Sequence, residues 1–155
     1  MSPLQTLSDT LNDKHKPVYT IGIVAELIGV SVHSLRMYET EGLLSPKRTN
    51  SKRRLYSQAD IERLKCIRIM IEENGLNLAG IKMMLSMAPC WDMIQCSDKD
   101  RKNCDAYTST LAPCWSLTNV GECCKMADCR DCMVYQDLST CHNMKTFLKE
   151  NWKGK

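Results

Sequence analysis

Nine of the ten cysteines lie beyond residue 88: Cys90, Cys96, Cys104, Cys114, Cys123, Cys124, Cys129, Cys132 and Cys141. Residues 1–88 hold only Cys66. A segment so rich in thiols is normally stapled by metal or covalent links in place of a large apolar core. The 155-residue chain is therefore expected to comprise two modules, one ordinary and globular, the other cysteine-rich. No apolar run approaches the roughly 20 residues that span a bilayer. Residues 1–17 lack the apolar stretch of a secretory signal. A cytoplasmic protein with no membrane partner is expected. In that reducing setting a disulfide framework gives way to metal, iron–sulfur or redox chemistry. The net charge of +3 is too small to identify a partner, but its whole excess falls within residues 1–88.

Residues 1–17 carry Leu4, Leu7 and Leu11 on one face of a short amphipathic helix. Alone it is too short to be stable, so it is either a frayed end or a helix that docks on a partner subunit. From Thr20 the apolar residues Ile21, Val24, Ala25, Leu27 and Ile28 recur at helical spacing, and Gly29 ends the run. Ser31 can cap a second helix bearing Val32, Leu35 and Tyr38. Two short helices joined by a glycine-containing turn make a helix-turn-helix, although any α-hairpin would share the pattern.

Gly42 closes the second helix. Lys47, Arg48, Lys52, Arg53 and Arg54 follow, with no acid among them. Asn50-Ser51 supply a turn and Leu55-Tyr56 a returning strand. The segment reads as a basic β-hairpin, a wing able to grip phosphates beside a recognition helix. Ser57 and Asp60 form a capping-box start to a third helix, and Asn77 can cap a fourth. Cys66 falls among core positions of the third, as a small buried hydrophobe.

The run from Tyr19 to Leu85 resembles the DNA-binding domain of the MerR family of bacterial transcription regulators. The motifs that carry the resemblance are VSVHSLRMYETEGLLSPKR, RRLYSQADIERL and GLNLAGIK, the last most like the heat-shock-repressor and glutamine-repressor branches. The resemblance implies that His33, Ser34 and Arg36 meet the major groove and that the Tyr38 hydroxyl meets phosphate. It also implies that Arg53 and Arg54 lie beside phosphate and the minor groove. His33 stands where Arg is commoner and Met37 where Tyr is commoner. A histidine lacks the bidentate fork that reads guanine, so the operator is not implied. Many family members continue into a long coiled-coil helix that builds the dimer. Here Ala88-Pro89 intervene and no heptad run follows. A homodimer would then use the N-terminal leucine stripe or a C-terminal helix from about Val134, with Leu138, Cys141, Leu148 and Trp152 on one face, although that face is more readily expected to pack onto its own cysteine module.

The cysteine-rich segment contains a repeat: Ala88-Pro89-Cys90-Trp91 recurs as Ala112-Pro113-Cys114-Trp115. Cys129 and Cys132 form a C-x₂-C, the spacing at which one turn aims two sulfurs at one atom. The region resembles small two-CW domains, whose pattern is matched by Cys90, Cys96, Cys104, Cys114, Cys129 and Cys132, with Tyr135 as the closing aromatic. Cys123, Cys124 and Cys141 lie outside that pattern. Six patterned cysteines exceed the four of a structural zinc site. An iron–sulfur cluster, a structural zinc and a metal-free thiol switch all remain open.

The expected fold is mainly α. A winged helix-turn-helix spans 18–87, and a small module stabilised by metal or cluster spans 88–135. A C-terminal helix occupies 136–155, after an N-terminal extension over 1–17. The expected protein is not an enzyme but a regulator that binds double-stranded promoter DNA, acts on RNA polymerase indirectly, and senses a redox, metal or gas signal. The competing reading makes the cysteine module an inert zinc-stapled element for protein contacts or dimerisation. A thiol oxidoreductase using Cys129 and Cys132 lacks the βαβ setting such chemistry uses.

Overall fold

A computed structural model describes residues 12–108, 111–125, 128–138 and 144–154. Strand β1 (Tyr19–Thr20) leads directly into α1 (Ile21–Ile28), followed by α2 (Val32–Thr40). Strands β2 (Lys47–Arg48) and β3 (Arg54–Tyr56) form the wing hairpin. Helices α3 (Gln58–Glu72) and α4 (Leu78–Ser86) complete the first module. The sheet order is β1-β3-β2, all antiparallel, with Tyr19 opposite Tyr56 and Lys47 opposite Leu55. Sequence periodicity did not reveal β1, because a two-residue strand carries no alternation to read.

The local signals act as expected. The Ser31 hydroxyl accepts from Ser34 N at 3.0 Å. Ser57 and Asp60 complete a reciprocal capping box at the start of α3, and Asn77 Oδ1 accepts from Gly80 N at 2.8 Å. Thr20 precedes α1, but its side chain makes no cap bond. Arg68 instead stabilises the other end of α1, donating to the Ile28 carbonyl while paired with Glu72. Gly29 terminates α1 at φ 73°, a left-handed conformation that glycine adopts without a Cβ penalty.

The core gathers Val24, Leu35, Leu43, Leu44, Leu64, Ile67, Met70, Ile81 and Leu85 from these elements. It does not stop at residue 87. Ala88, Cys90, Val134 and Leu138 belong to the same cluster, with Trp91 and Trp115 packed against it. Cys66 is buried in this core, as half of a disulfide rather than as a free thiol.

The cysteine module is made of short pieces: α5 (Cys90–Met93), α6 (Asp98–Lys102), α7 (Asp105–Thr108), a 3₁₀ turn at Cys114–Ser116, α8 (Glu122–Lys125), a second 3₁₀ turn at Cys129–Asp131, and α9 (Met133–Asp137). The CW repeat recurs as an aromatic pair. Trp91 meets Tyr107 and Trp115 meets Tyr135, each edge-to-face at 5.1 Å between ring centroids. Helix α10 (Met144–Asn151) follows. Of the C-terminal stripe expected from Val134, Val134 and Leu138 are buried and Trp152 is exposed, and residues 139–143 between them lie outside the described residues. Cys141 and the Leu4/Leu7/Leu11 stripe lie outside the described residues. No single described helix is long and apolar enough to cross a membrane.

Candidate functional site

Helix α2 turns one face to solvent. His33, Arg36 and Met37 are exposed on it, while Leu35 and Tyr38 face the core. Ser34 is partly buried and its hydroxyl lies 2.9 Å from that of Ser31, so its side chain serves the helix cap. Tyr38 is 7% exposed and anchors α2 to the core. Burial pushes its phenol above the ordinary value.

The wing stands beside this face, and Glu39 of α2 joins the two. Its carboxylate accepts from Arg48 and from Arg54, one on each strand of the hairpin. Lys47 reaches Asp128 of the cysteine module at 3.4 Å. Lys52 and Arg53 sit at the hairpin tip, exposed, with no ion pair among the described residues. Lys52 takes φ 60° to turn the tip. The five wing cations therefore fall into two groups. Three are held by acids within the protein, and two are presented outward.

The base of the wing is gripped by the cysteine module. Tyr135 Oη accepts from Ser45 N at 2.9 Å and donates to Asp60 Oδ1 at 3.2 Å. Arg130, between Cys129 and Cys132, donates to the Ser45 carbonyl and, at 2.8 Å, to Asp60 Oδ2. Arg63 is 1% exposed. It donates to the Tyr135 carbonyl and lies over the rings of Tyr135 and Trp115 at 3.9 and 5.1 Å. Its Nη1 has no hydrogen-bond partner among the described residues, and burial lowers its pKa. The Trp115 indole donates to the Gly42 carbonyl at 2.8 Å, directly after the recognition helix. Sequence reading placed Trp115 within the module and did not find this network. A buried arginine among the apolar positions of α3 was its one local trace.

The patterned cysteines do not converge on one point. Among the described residues, no group of three His, Cys, Asp or Glu side chains could hold a single metal ion. They divide between two spaces. Cys114, Cys123, Cys124, Cys129 and Cys132 line a cavity of about 290 Å³ whose remaining wall is mostly apolar. Cys90, Cys96 and Cys104, with Cys114 and Cys124, border a much smaller space beside Trp91 and Tyr107. Cys123 and Cys124, which the CW pattern left out, are thus central. Cys96 Sγ lies 2.7 Å from Cys123 Sγ, and Cys123 Sγ lies 3.9 Å from Cys124 Sγ.

The electrostatics of this thiol group are consistent. Burial, and then the neighbouring Cys123, push the Cys124 thiol up to about 12. Burial likewise raises Cys96, next to Cys123, and Cys129, next to Cys132. The hydrogen bond between the Cys90 and Cys114 thiols raises Cys114 and lowers Cys90. Thiolates gathered here need a cation among them to offset their charge. Three of the nearby acids have other partners. Asp128 accepts from Arg130 N and pairs with Lys47, which together keep its carboxyl below the ordinary value. Asp105 accepts from Asn119 Nδ2, and Asp92 from Lys153 N.

Residues 19–88 match the family described as MerR HTH family regulatory protein. The HTH-type transcriptional regulator TnrA of Bacillus subtilis is 46% identical over 68 residues, 44% of this chain and 61% of that protein. The HTH-type transcriptional regulator GlnR of Bacillus anthracis is 44% identical over 71 residues, 46% and 54% of the two chains. The protein named HspR of Streptomyces coelicolor is 38% identical over 86 residues, 56% and 53% of the two chains. The chain thus spans between about half and three fifths of these relatives' own lengths. The matched region contains α1, α2, the wing, α3 and α4, in the arrangement described above. In sequence and in the order of their elements, residues 19–88 are thus similar to the MerR-type helix-turn-helix domain.

Proposed function

We propose that the protein is a transcription regulator that binds double-stranded promoter DNA as a homodimer, with the cysteine module acting as its sensor. The observation that carries this reading is the placement of Arg130. It sits between two cysteines and grips the base of the wing through Ser45 and Asp60. A change of ligand or oxidation state at Cys129 and Cys132 shifts the turn that holds Arg130, and with it the wing beside α2. His33 and Arg36 read base edges, Lys52 and Arg53 bind phosphates, and Glu39 sets the angle between helix and wing. The module holds an iron–sulfur cluster or a metal, and its state selects between two DNA-bound geometries of different stability. RNA polymerase responds to that geometry without direct contact.

Selection of bound duplexes from a random pool tests the DNA reading. The expected product is a pseudo-palindrome with half-sites about 10 base pairs apart, or a multiple of that. Arg36→Ala should relax base preference, and Arg53→Ala should weaken binding evenly and reduce the salt slope by about 1. A pool that never enriches, or variants that bind as the parent does, would refute it. The sensing half fails if affinity for the selected duplex is the same in oxidised, reduced and metal-stripped protein.

A further inference from the structure

We propose that the cavity lined by Cys114, Cys124, Cys129 and Cys132 is the seat of a [4Fe–4S] cluster, with these four cysteines as its ligands. The inference names the cofactor of the module whose sensing role is proposed above and rests on that reading. A lone tetrahedral ion needs four donors at about 2.3 Å, hence sulfurs within roughly 4 Å of one another. The described residues offer no such convergence. Cys114, Cys124, Cys129 and Cys132 instead line a cavity of about 290 Å³. A polynuclear cluster has this requirement, because its iron corners are separated and each takes one thiolate from its own side.

The four ligands come from separate pieces of backbone: the turn at Cys114–Ser116, helix α8, the turn at Cys129–Asp131, and the residue that opens α9. Short irregular segments of this kind can each aim one sulfur inward. Leu117, Val120, Ile94 and Met133 form the apolar part of the wall and Asp128 and Asp131 its acidic part, a mixed surround of the kind that tunes a cluster's potential. Cys123 also borders the cavity, but it is exposed to solvent where Cys124 is partly buried. Cys124 is the partly buried member of that pair and faces both spaces. This ligand set keeps three of the six patterned cysteines and replaces Cys90, Cys96 and Cys104 with Cys124. On binding, the four thiols release their protons to solvent and remain as thiolates on iron.

The test uses the full chain purified without oxygen, with iron, acid-labile sulfide and zinc measured per chain beside the absorption and Mössbauer spectra. The expected result is about four iron and four sulfide per chain with absorbance near 400 nm. Cys124→Ser should lose most of that absorbance, while Cys104→Ser keeps it. Stoichiometric zinc with no visible band overturns the proposal, as does a Mössbauer spectrum of a two-iron centre. Full iron retention in Cys124→Ser, or loss in a folded Cys104→Ser, also overturns it. Should Cys124→Ser fail to fold by circular dichroism, the parent's metal content and Mössbauer spectrum decide. A cluster found in protein whose DNA affinity ignores its removal would end the sensor reading and leave the site standing.

Discussion

Arg130 donates through Nη2 to Asp60 Oδ2 at 2.8 Å, although 70 residues of sequence separate them. The two side chains are 11% and 1% exposed. Asp60 also caps α3 through Ser57 N and Ser57 Oγ. One carboxylate therefore starts a helix of the DNA-binding domain and ties the C-x₂-C turn to it. This contact lets two sequence modules share a single core.

Removing Arg130 should uncover the cost of that buried carboxylate. Among the described residues, Arg130→Ala leaves Asp60 with Ser57 and Tyr135 and deprives the Ser45 carbonyl of the Arg130 donor. Breaking a buried pair from one side typically costs about 3–5 kcal/mol. The retained bonds place the expectation near the lower end, about 3 kcal/mol in urea unfolding. A loss below about 1 kcal/mol would mean the pair behaves like an exposed one.

How much of this was legible beforehand depends on the range of the interaction. Ser31, Ser57 and Asn77 announced their helices because a cap is satisfied within three residues. Gly29 and Gly42 marked helix ends for the same local reason. The Arg63–Tyr135 and Trp115–Gly42 contacts span 72 and 73 residues, and no periodicity encodes a partner so distant. The CW repeat pointed to the thiol-rich region, but it omitted Cys123 and Cys124, since membership of the cavity depends on how short segments fold back together. The wing was visible as a run of cations; that Glu39 holds two of them was not.

Tyr56 offers a test with a pH signature. Its hydroxyl is buried and has no hydrogen-bond partner among the described residues. Burial, and then the Glu39 carboxylate, push its phenol up to about 12 from an ordinary 10.0. A group whose folded value is raised stabilises the protein fully below its unfolded value, and that stability is lost as pH climbs through the folded one. The parent should therefore weaken between about pH 10 and 12. Tyr56→Phe removes an unsatisfied buried hydroxyl, so it should gain about 1 kcal/mol at neutral pH and show a shallower alkaline decline. A destabilised variant with an unchanged alkaline limb would show that the hydroxyl has a partner in solution.

Glu39 should act on DNA binding in two directions. Glu39→Gln releases Arg48 and Arg54 from their shared carboxylate. If both then reach phosphates, binding to arbitrary duplex should acquire a steeper salt dependence, each new contact adding about 0.9 to the slope. Preference for the selected duplex should fall at the same time, because the wing is no longer set against α2. Fluorescence anisotropy titrations across a range of salt would show both effects. An unchanged slope would mean that these arginines stay within the protein when the acid is neutralised.

Gly42 is the point where the recognition helix, the wing and the cysteine module meet. It takes φ 75°, and a Cβ added there would lie 2.7 Å from Ser116 Cβ. Its carbonyl accepts from the Trp115 indole. Gly42→Ala should therefore suffer twice. The left-handed backbone costs a non-glycine residue roughly 1–2 kcal/mol, and the clash forces the Cys114–Ser116 turn to retreat. Ser116→Gly removes the obstructing atom, so the double variant should recover the steric part and keep the backbone part. Additive losses across this double-mutant cycle would show that the turn moves aside freely, and that contact with the DNA-binding domain does not fix its position. A positive coupling would place Cys114 and the end of α2 on one rigid unit, as required for a signal at the thiol cavity to reach the recognition helix.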